Sequence, residues 1–270
     1  MIELLGFKIN CPKCRSEYLE AESSVEKVRC PKCGAIFPAT NGVLDLLNEE
    51  SPGMIAISEP MKWNWVVKIY NGTLWRRSFW MSKWMFGIGF DQEYKLITDA
   101  AKLSPKDSVL DLACGPGTYT KPIAQIVKQG RIVGFDISLP MLGFAANQAQ
   151  KKELKNILYI HGTVKDIPFA NEEFDVINCC GALHLFRDIL PELLLKINAM
   201  LKPGGRFTIG AGRKPDDKFN RKLVILSTKK TGLKYFTPEE LEQNLYDAGF
   251  SDVKIHHSKR YWLIASANKL

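Results

Sequence analysis

No run of 18 or more apolar residues occurs in this 270-residue chain, so no transmembrane helix is expected. Residues 1–10 are too short and too mixed in character to read as a secretory leader, which points to a cytoplasmic protein. No solenoid-like repeat and no low-complexity tract is present. Histidine is scarce, at four residues, and the seven cysteines are neither evenly spread nor even in number. That argues against a disulfide framework and for metal ligation in a reducing compartment. A dinucleotide turn of the G-x-G-x-x-G kind is also missing, because Thr120 stands where the third glycine after Gly115 and Gly117 would be.

What is present divides the chain into three segments: 1–48 is cysteine-rich, 49–95 is a linker followed by an aromatic stretch, and 96–270 alternates strand and helix patterns. The net charge of +8 is unevenly placed. Residues 1–50 carry six Lys/Arg against eight Asp/Glu, whereas Arg213 to Lys234 carries eight basic residues against two acidic ones. The basic excess lies late in the chain. An anionic small molecule, a phospholipid surface or nucleic acid would each suit it, as would a solvated loop.

In the first segment, Cys11-Pro-Lys-Cys14 and Cys30-Pro-Lys-Cys33 are separated by 15 residues. Two CxxC knuckles at this spacing supply four soft ligands for tetrahedral Zn2+. So small a segment has too little core to fold by burial alone, which makes a metal part of its fold. Two redox pairs or free thiols are the alternative. The pattern resembles a zinc ribbon.

The third segment reads as strands separated by helices, which predicts an α/β, doubly wound, mostly parallel seven-stranded sheet with an antiparallel last strand, preceded by a small zinc-ribbon β domain. Lys202-Pro-Gly-Gly205 reads as a turn before the strand Arg206 to Gly210. Thr237-Pro-Glu-Glu240 reads as a helix start with a capping box. Asp111-Leu-Ala-Cys-Gly-Pro-Gly117 follows an apolar strand and precedes a helix, so backbone can approach a ligand closely there. Asp136 closes the next strand, where a carboxylate can accept hydrogen bonds from ribose hydroxyls.

Asp111 to Gly117, Asp136, Asp166-Ile-Pro-Phe169, Phe174-Asp175 and Leu201-Lys-Pro-Gly-Gly205 together resemble the class I, Rossmann-like S-adenosylmethionine-dependent methyltransferases of the small-molecule, quinone-biosynthesis-like kind. Ala113 departs from the glycine many members carry. The resemblance implies S-adenosyl-L-methionine as cofactor, held by Asp111, Ala113, Cys114, Gly115, Gly117, Asp136, Ile137, Met141, Asp166, Ile167 and Cys180. Within that set it gives the glycine turn to the methionine part, Asp136 to the ribose, Asp166 to the adenine amino group and Ile167 to the ring.

The acceptor side is less determined. His184, in the turn after the fourth strand of this segment, is a candidate base or a packing histidine. Ile69-Tyr-Asn71 resembles a region preceding the first strand in the quinone-type enzymes, which makes Tyr70 a candidate active-site residue. Trp63, Trp65, Trp75, Trp80 and Trp84 surround it with Arg76, Arg77 and Lys83 interleaved; packing helices, a lid over an apolar acceptor, peripheral membrane contact and base stacking all fit. The acceptor is thus expected to be a small or lipid-like molecule. The alternative is an rRNA base, with the ribbon recognising RNA. Against it stand the acidic head and the absence of an Asn-Pro-Pro-Tyr motif at Asn178-Cys-Cys-Gly181.

Overall fold

The structure is a computed structural model and describes residues 4–17, 19–21, 27–47, 79–216 and 234–270. Tyr70, Trp63, Trp65, Trp75, the linker after residue 48 and most of the basic stretch 213–234 lie outside the described residues. In chain order the strands are β1 (Glu20–Ala21), β2 (Lys27–Arg29), β3 (Ile36–Thr40), β4 (Val43–Asp45), β5 (Ser108–Leu112), β6 (Arg131–Asp136), β7 (Ile157–His161), β8 (Phe174–Cys180), β9 (Leu201–Gly212), β10 (Phe250–Lys259) and β11 (Trp262–Lys269). The helices are α1 (Phe79–Phe86), α2 (Phe90–Ala101), α3 (Thr120–Ile126), α4 (Leu139–Lys151), α5 (Leu190–Met200) and α6 (Pro238–Asp247).

The sheet order is β1-β2-β3-β4-β7-β6-β5-β8-β9-β11-β10. β7, β6, β5, β8 and β9 run parallel, and β11 is antiparallel to both of its neighbours. The sequence order reverses at β5, which has β6 on one side and β8 on the other. A crevice opens at the carboxyl ends of the strands at such a point. All five residues of β5 are buried, as expected of a central parallel strand covered on both faces.

The two faces have different covers. Val109, Ile132, Val176 and Ile264 pack with Ile97 and Ala101 of α2 and Ile123 and Ala124 of α3. Leu110, Val133, Leu158, Ile177 and Phe207 pack with Leu194 and Ile197 of α5 and Leu241 and Leu245 of α6. The capping box of α6 is formed: Thr237 Oγ1 accepts from the Glu240 amide at 3.2 Å, and Glu240 Oε2 from the Thr237 amide at 3.1 Å.

Two features differ from the sequence reading. The Lys202-Pro-Gly-Gly205 turn lies inside β9. Phe174 pairs with Leu201 and Val176 with Arg206, so four residues bulge from β9 opposite one on β8, with Gly204 at φ 72°. The cysteine-rich head, moreover, does not form a sheet of its own. β4 pairs in parallel with β7, so the head extends the main sheet. The link from β7 to β8 holds a 3-10 turn, Val164–Asp166, and no α-helix. A parallel sheet needs cover on both faces, and here Phe7, Ile9, Phe37, Leu44 and Leu46 supply it over β6 and β7 in the same core as Leu110 and Phe135. Residue 48 therefore separates two segments of chain that share one core.

Candidate active site

The glycine turn after β5 is built from left-handed backbone: Ala113 has φ 57°, Gly115 φ 53° and Gly117 φ 70°. An alanine in that region costs about 1–2 kcal/mol, which is why glycine is the usual residue where Ala113 stands. A side chain at Gly117 would be crowded, since a Cβ there would lie 3.0 Å from the Tyr159 hydroxyl and 3.1 Å from Ala145 Cβ. At Gly115 the nearest atom to such a Cβ is Met141 Sδ, at 3.4 Å, so Met141 packs beneath the turn.

Two carboxylates anchor this loop. Asp136, 8% exposed, accepts from the Gly115 amide at 2.7 Å and the Ser138 amide at 2.8 Å. Each oxygen retains an acceptor position, since an ionised carboxylate has about four. Asp111, 1% exposed, is more fully engaged: it accepts from Thr120 Oγ1 at 2.5 Å and Asn178 Nδ2 at 2.6 Å. Thr208 Oγ1 in turn donates to Asn178 Oδ1 at 3.0 Å. Burial raises the Asp136 carboxyl and pushes that of Asp111 to about 6, with the Thr120 and Asn178 hydrogen bonds opposing. Asp111 thus holds the turn against β8 and α3. Asp136, at the carboxyl end of β6, keeps acceptor positions beyond the Gly115 and Ser138 amides.

The remaining expected cofactor residues fall into three places. Ala113, Gly115, Gly117, Ile137 and Met141 gather with Asp136 where β5 and β6 end. The Cys114 thiol turns beneath them into the cluster of Leu142, Ala145 and Tyr159, and burial raises its pKa; only its backbone belongs to the turn. Asp166 and the buried Ile167 lie on the turn after β7, the next strand across. Cys180 ends β8, with Sγ 3.8 Å from Glu93 Oε1.

His184 lies in the 3-10 turn after β8 and stacks on Tyr235, with ring centroids 5.7 Å apart. Its Nδ1 accepts from the Gly212 amide at 3.2 Å. A neutral ring used this way carries its proton on Nε2.

Several residues were not found from the sequence. Glu93 is completely buried and accepts from the Tyr119 hydroxyl at 2.5 Å. It shares the inward stripe of α2 with Ile97 and Ala101, and that four-residue spacing was the available signal. Asn178 and Thr208 are polar residues within apolar strands, a signal of the same kind.

The head brings its cysteines together. The Sγ atoms of Cys11, Cys14, Cys30 and Cys33 all lie within 4.8 Å of one another. Cys11–Cys33 is 3.8 Å and Cys14–Cys30 is 3.6 Å. The knuckles have the same construction: the Arg15 amide donates to Cys11 O and the Gly34 amide to Cys30 O, both at 2.9 Å. The Ser16 hydroxyl lies 3.1 Å from Cys14 Sγ and 3.2 Å from Cys30 Sγ. That hydroxyl draws the Cys30 thiol down to about 6, while burial pushes Cys11 up to about 12.

Residues 109–205 match a family described as methyltransferase domain. A demethylmenaquinone methyltransferase of Symbiobacterium thermophilum is 34% identical over 119 residues, which are 43% of this chain and 47% of that protein. A 2-phytyl-1,4-naphtoquinone methyltransferase of Synechococcus elongatus is 36% identical over 109 residues, 39% of this chain and 46% of that one. The chain thus spans about half the length of these curated relatives. Among solved structures, the YcgJ protein of Bacillus subtilis superposes with TM-score 0.56 at 17% identity, over 66% of this chain and 98% of that one. A Haemonchus contortus phosphoethanolamine N-methyltransferase bound to S-adenosylhomocysteine superposes with TM-score 0.57 at 16% identity, over 74% of this chain and 59% of that one. At these identities the superpositions establish the fold: a Rossmann-like α/β sheet of the methyltransferase type.

Proposed function

We propose that the protein transfers a methyl group from S-adenosyl-L-methionine to a small-molecule or lipid-like acceptor of the quinone type. The observation that carries this reading is Asp136, a carboxylate beside the sheet switch point that is locked to a glycine turn and keeps acceptor capacity. The methyltransferase-domain match and the named quinone methyltransferases support the class of chemistry.

S-adenosyl-L-methionine supplies the activated methyl group, and this chain supplies alignment, which can provide most of the rate in such a transfer. The Gly115–Gly117 backbone would hold the amino-acid end, Asp136 the ribose, and Asp166 with Ile167 the adenine. On the acceptor side, the turn after β8 that carries His184 would border the methyl acceptor.

The four head cysteines fit Zn2+: a tetrahedron with zinc–sulfur bonds of about 2.3 Å has sulfur–sulfur edges of about 3.8 Å, close to the spacings here. This would be a closed, structural site. Among the described residues no helix is long and apolar enough to cross a membrane.

Calorimetry with S-adenosylhomocysteine tests the cofactor assignment. Asp136→Ala should weaken binding at least about 100-fold, with thermal melting checking that the variant folds. A folded variant with wild-type affinity would refute the ribose role. Labelled methyl transfer to naphthoquinol and to total RNA separates the acceptor classes, and label in RNA alone would favour rRNA modification.

A further inference from the structure

The head reaches the nucleoside side of the crevice at two places. Asp45, on β4, is in register with His161 on β7, and His161 with Asp136 on β6, so the three side chains stand at one level across adjacent strand ends. Asp45 Oδ1 lies 2.7 Å from His161 Nδ1, and His161 Nε2 donates to Ile137 O at 3.0 Å. Ile137 directly follows Asp136. The second place is the first knuckle, where Arg15 forms an ion pair with Asp166. Beside it the Asn10 amide donates to Pro168 O at 2.7 Å, and Ile9 bridges to Phe169. The loop that follows Asp166 is thus stitched to the head by backbone.

Arg15 has a second peculiarity. It occupies the position that Gly34 occupies in the other knuckle, and both are left-handed, with φ 59° and 72°. The turn itself would be better served by glycine. An arginine held there has a use for its side chain, and the group it meets is the crevice carboxylate Asp166.

We propose that Arg15 and Asp45 are positioning residues for the nucleoside of the cofactor: Arg15 orients Asp166 toward the base, and Asp45, through His161, holds the Asp136–Ile137 corner under the ribose. The cysteine-rich head is then part of the cofactor site, and whatever orders its knuckles also orders that site. This rests on the nucleoside reading of the crevice given above.

Titrating the full chain with S-adenosylhomocysteine tests the proposal. Arg15→Gly should weaken binding about 3- to 10-fold while leaving the melting temperature unchanged or raised, because the strained backbone is relieved. A purely structural arginine predicts no such split. In an Asp166→Asn background, Arg15→Gly should change nothing further, since Arg15 acts through that carboxylate. Asp45→Asn should weaken binding by a similar factor. Wild-type affinity in both Arg15→Gly and Asp45→Asn, or tighter binding in Arg15→Gly, would overturn the proposal while leaving the cofactor reading intact. Absence of binding by the wild-type chain would remove the cofactor reading, and this inference with it.

Discussion

The glycine turn and the first cysteine knuckle each place a residue other than glycine in left-handed backbone, Ala113 and Arg15, and they tolerate it by different means. Ala113 directly follows a strand buried along its whole length, with Asp111 and Asp136 tying down the loop on either side. Arg15 sits in a head whose strands are two to five residues long. Body strands are over-determined by apolar burial, at about 1.5–3 kcal/mol for each buried large side chain. The outer head has less of it, with Val28 and Phe37 the large apolar side chains buried on β2 and β3. Strain in the body can be absorbed by that burial, whereas in the knuckles the proposed Zn2+ would add a tie.

The largest test of this contrast is removal of the tie. With Zn2+ held as proposed, stripping it with a chelator, or Cys30→Ser, should accelerate hydrogen exchange in β2 and β3 at least about 100-fold, since structural zinc can contribute on the order of 10 kcal/mol. β5 and β6 should keep their protection. Loss of protection in all four strands together would show head and body to be one cooperative unit.

Within the body, Asp111 provides the next effect. Its folded carboxyl titrates near 6 while an unfolded one titrates near 3.8, so the folded form binds its proton more tightly. The group's contribution to stability is therefore lost as pH rises from about 4 to about 6, a change of up to about 3 kcal/mol. Asp111→Asn should flatten that part of the pH–stability curve in urea titrations; identical slopes in the two proteins would remove Asp111 as the cause.

Gly117→Ala should destabilise by about 2 kcal/mol, from left-handed strain plus the approach of the new Cβ to Tyr159 and Ala145. Urea unfolding measures this, and a neutral result would mean the turn can relax. The smallest effect is Ala113→Gly, which should stabilise by about 0.5 kcal/mol after the added flexibility of the unfolded chain is counted. A loss of stability would show that Ala113 packs well enough to outweigh its strain.

Much of the candidate site is carried by ordered signals in the sequence: Asp111 to Gly117 after an apolar strand, then Asp136, then Asp166. Each is a local pattern, and local patterns reflect backbone requirements that neighbouring residues alone impose. Glu93 was harder to see, because one acid among polar helix neighbours declares its burial only through the spacing to Ile97 and Ala101. The His184 tautomer was beyond reach, since it depends on the amide of Gly212, 28 residues away.

The sequence by itself determined the alternation of strands and helices, the left-handed turn with its acids, and the two cysteine knuckles. Tertiary structure alone decided that β4 joins β7, that the head covers a sheet face left bare by a crossover without a helix, and that Arg15 meets Asp166 across 151 positions of chain. The reason is that periodicity and turn chemistry are written within a few residues. Which apolar face covers which depends on what every other element leaves exposed.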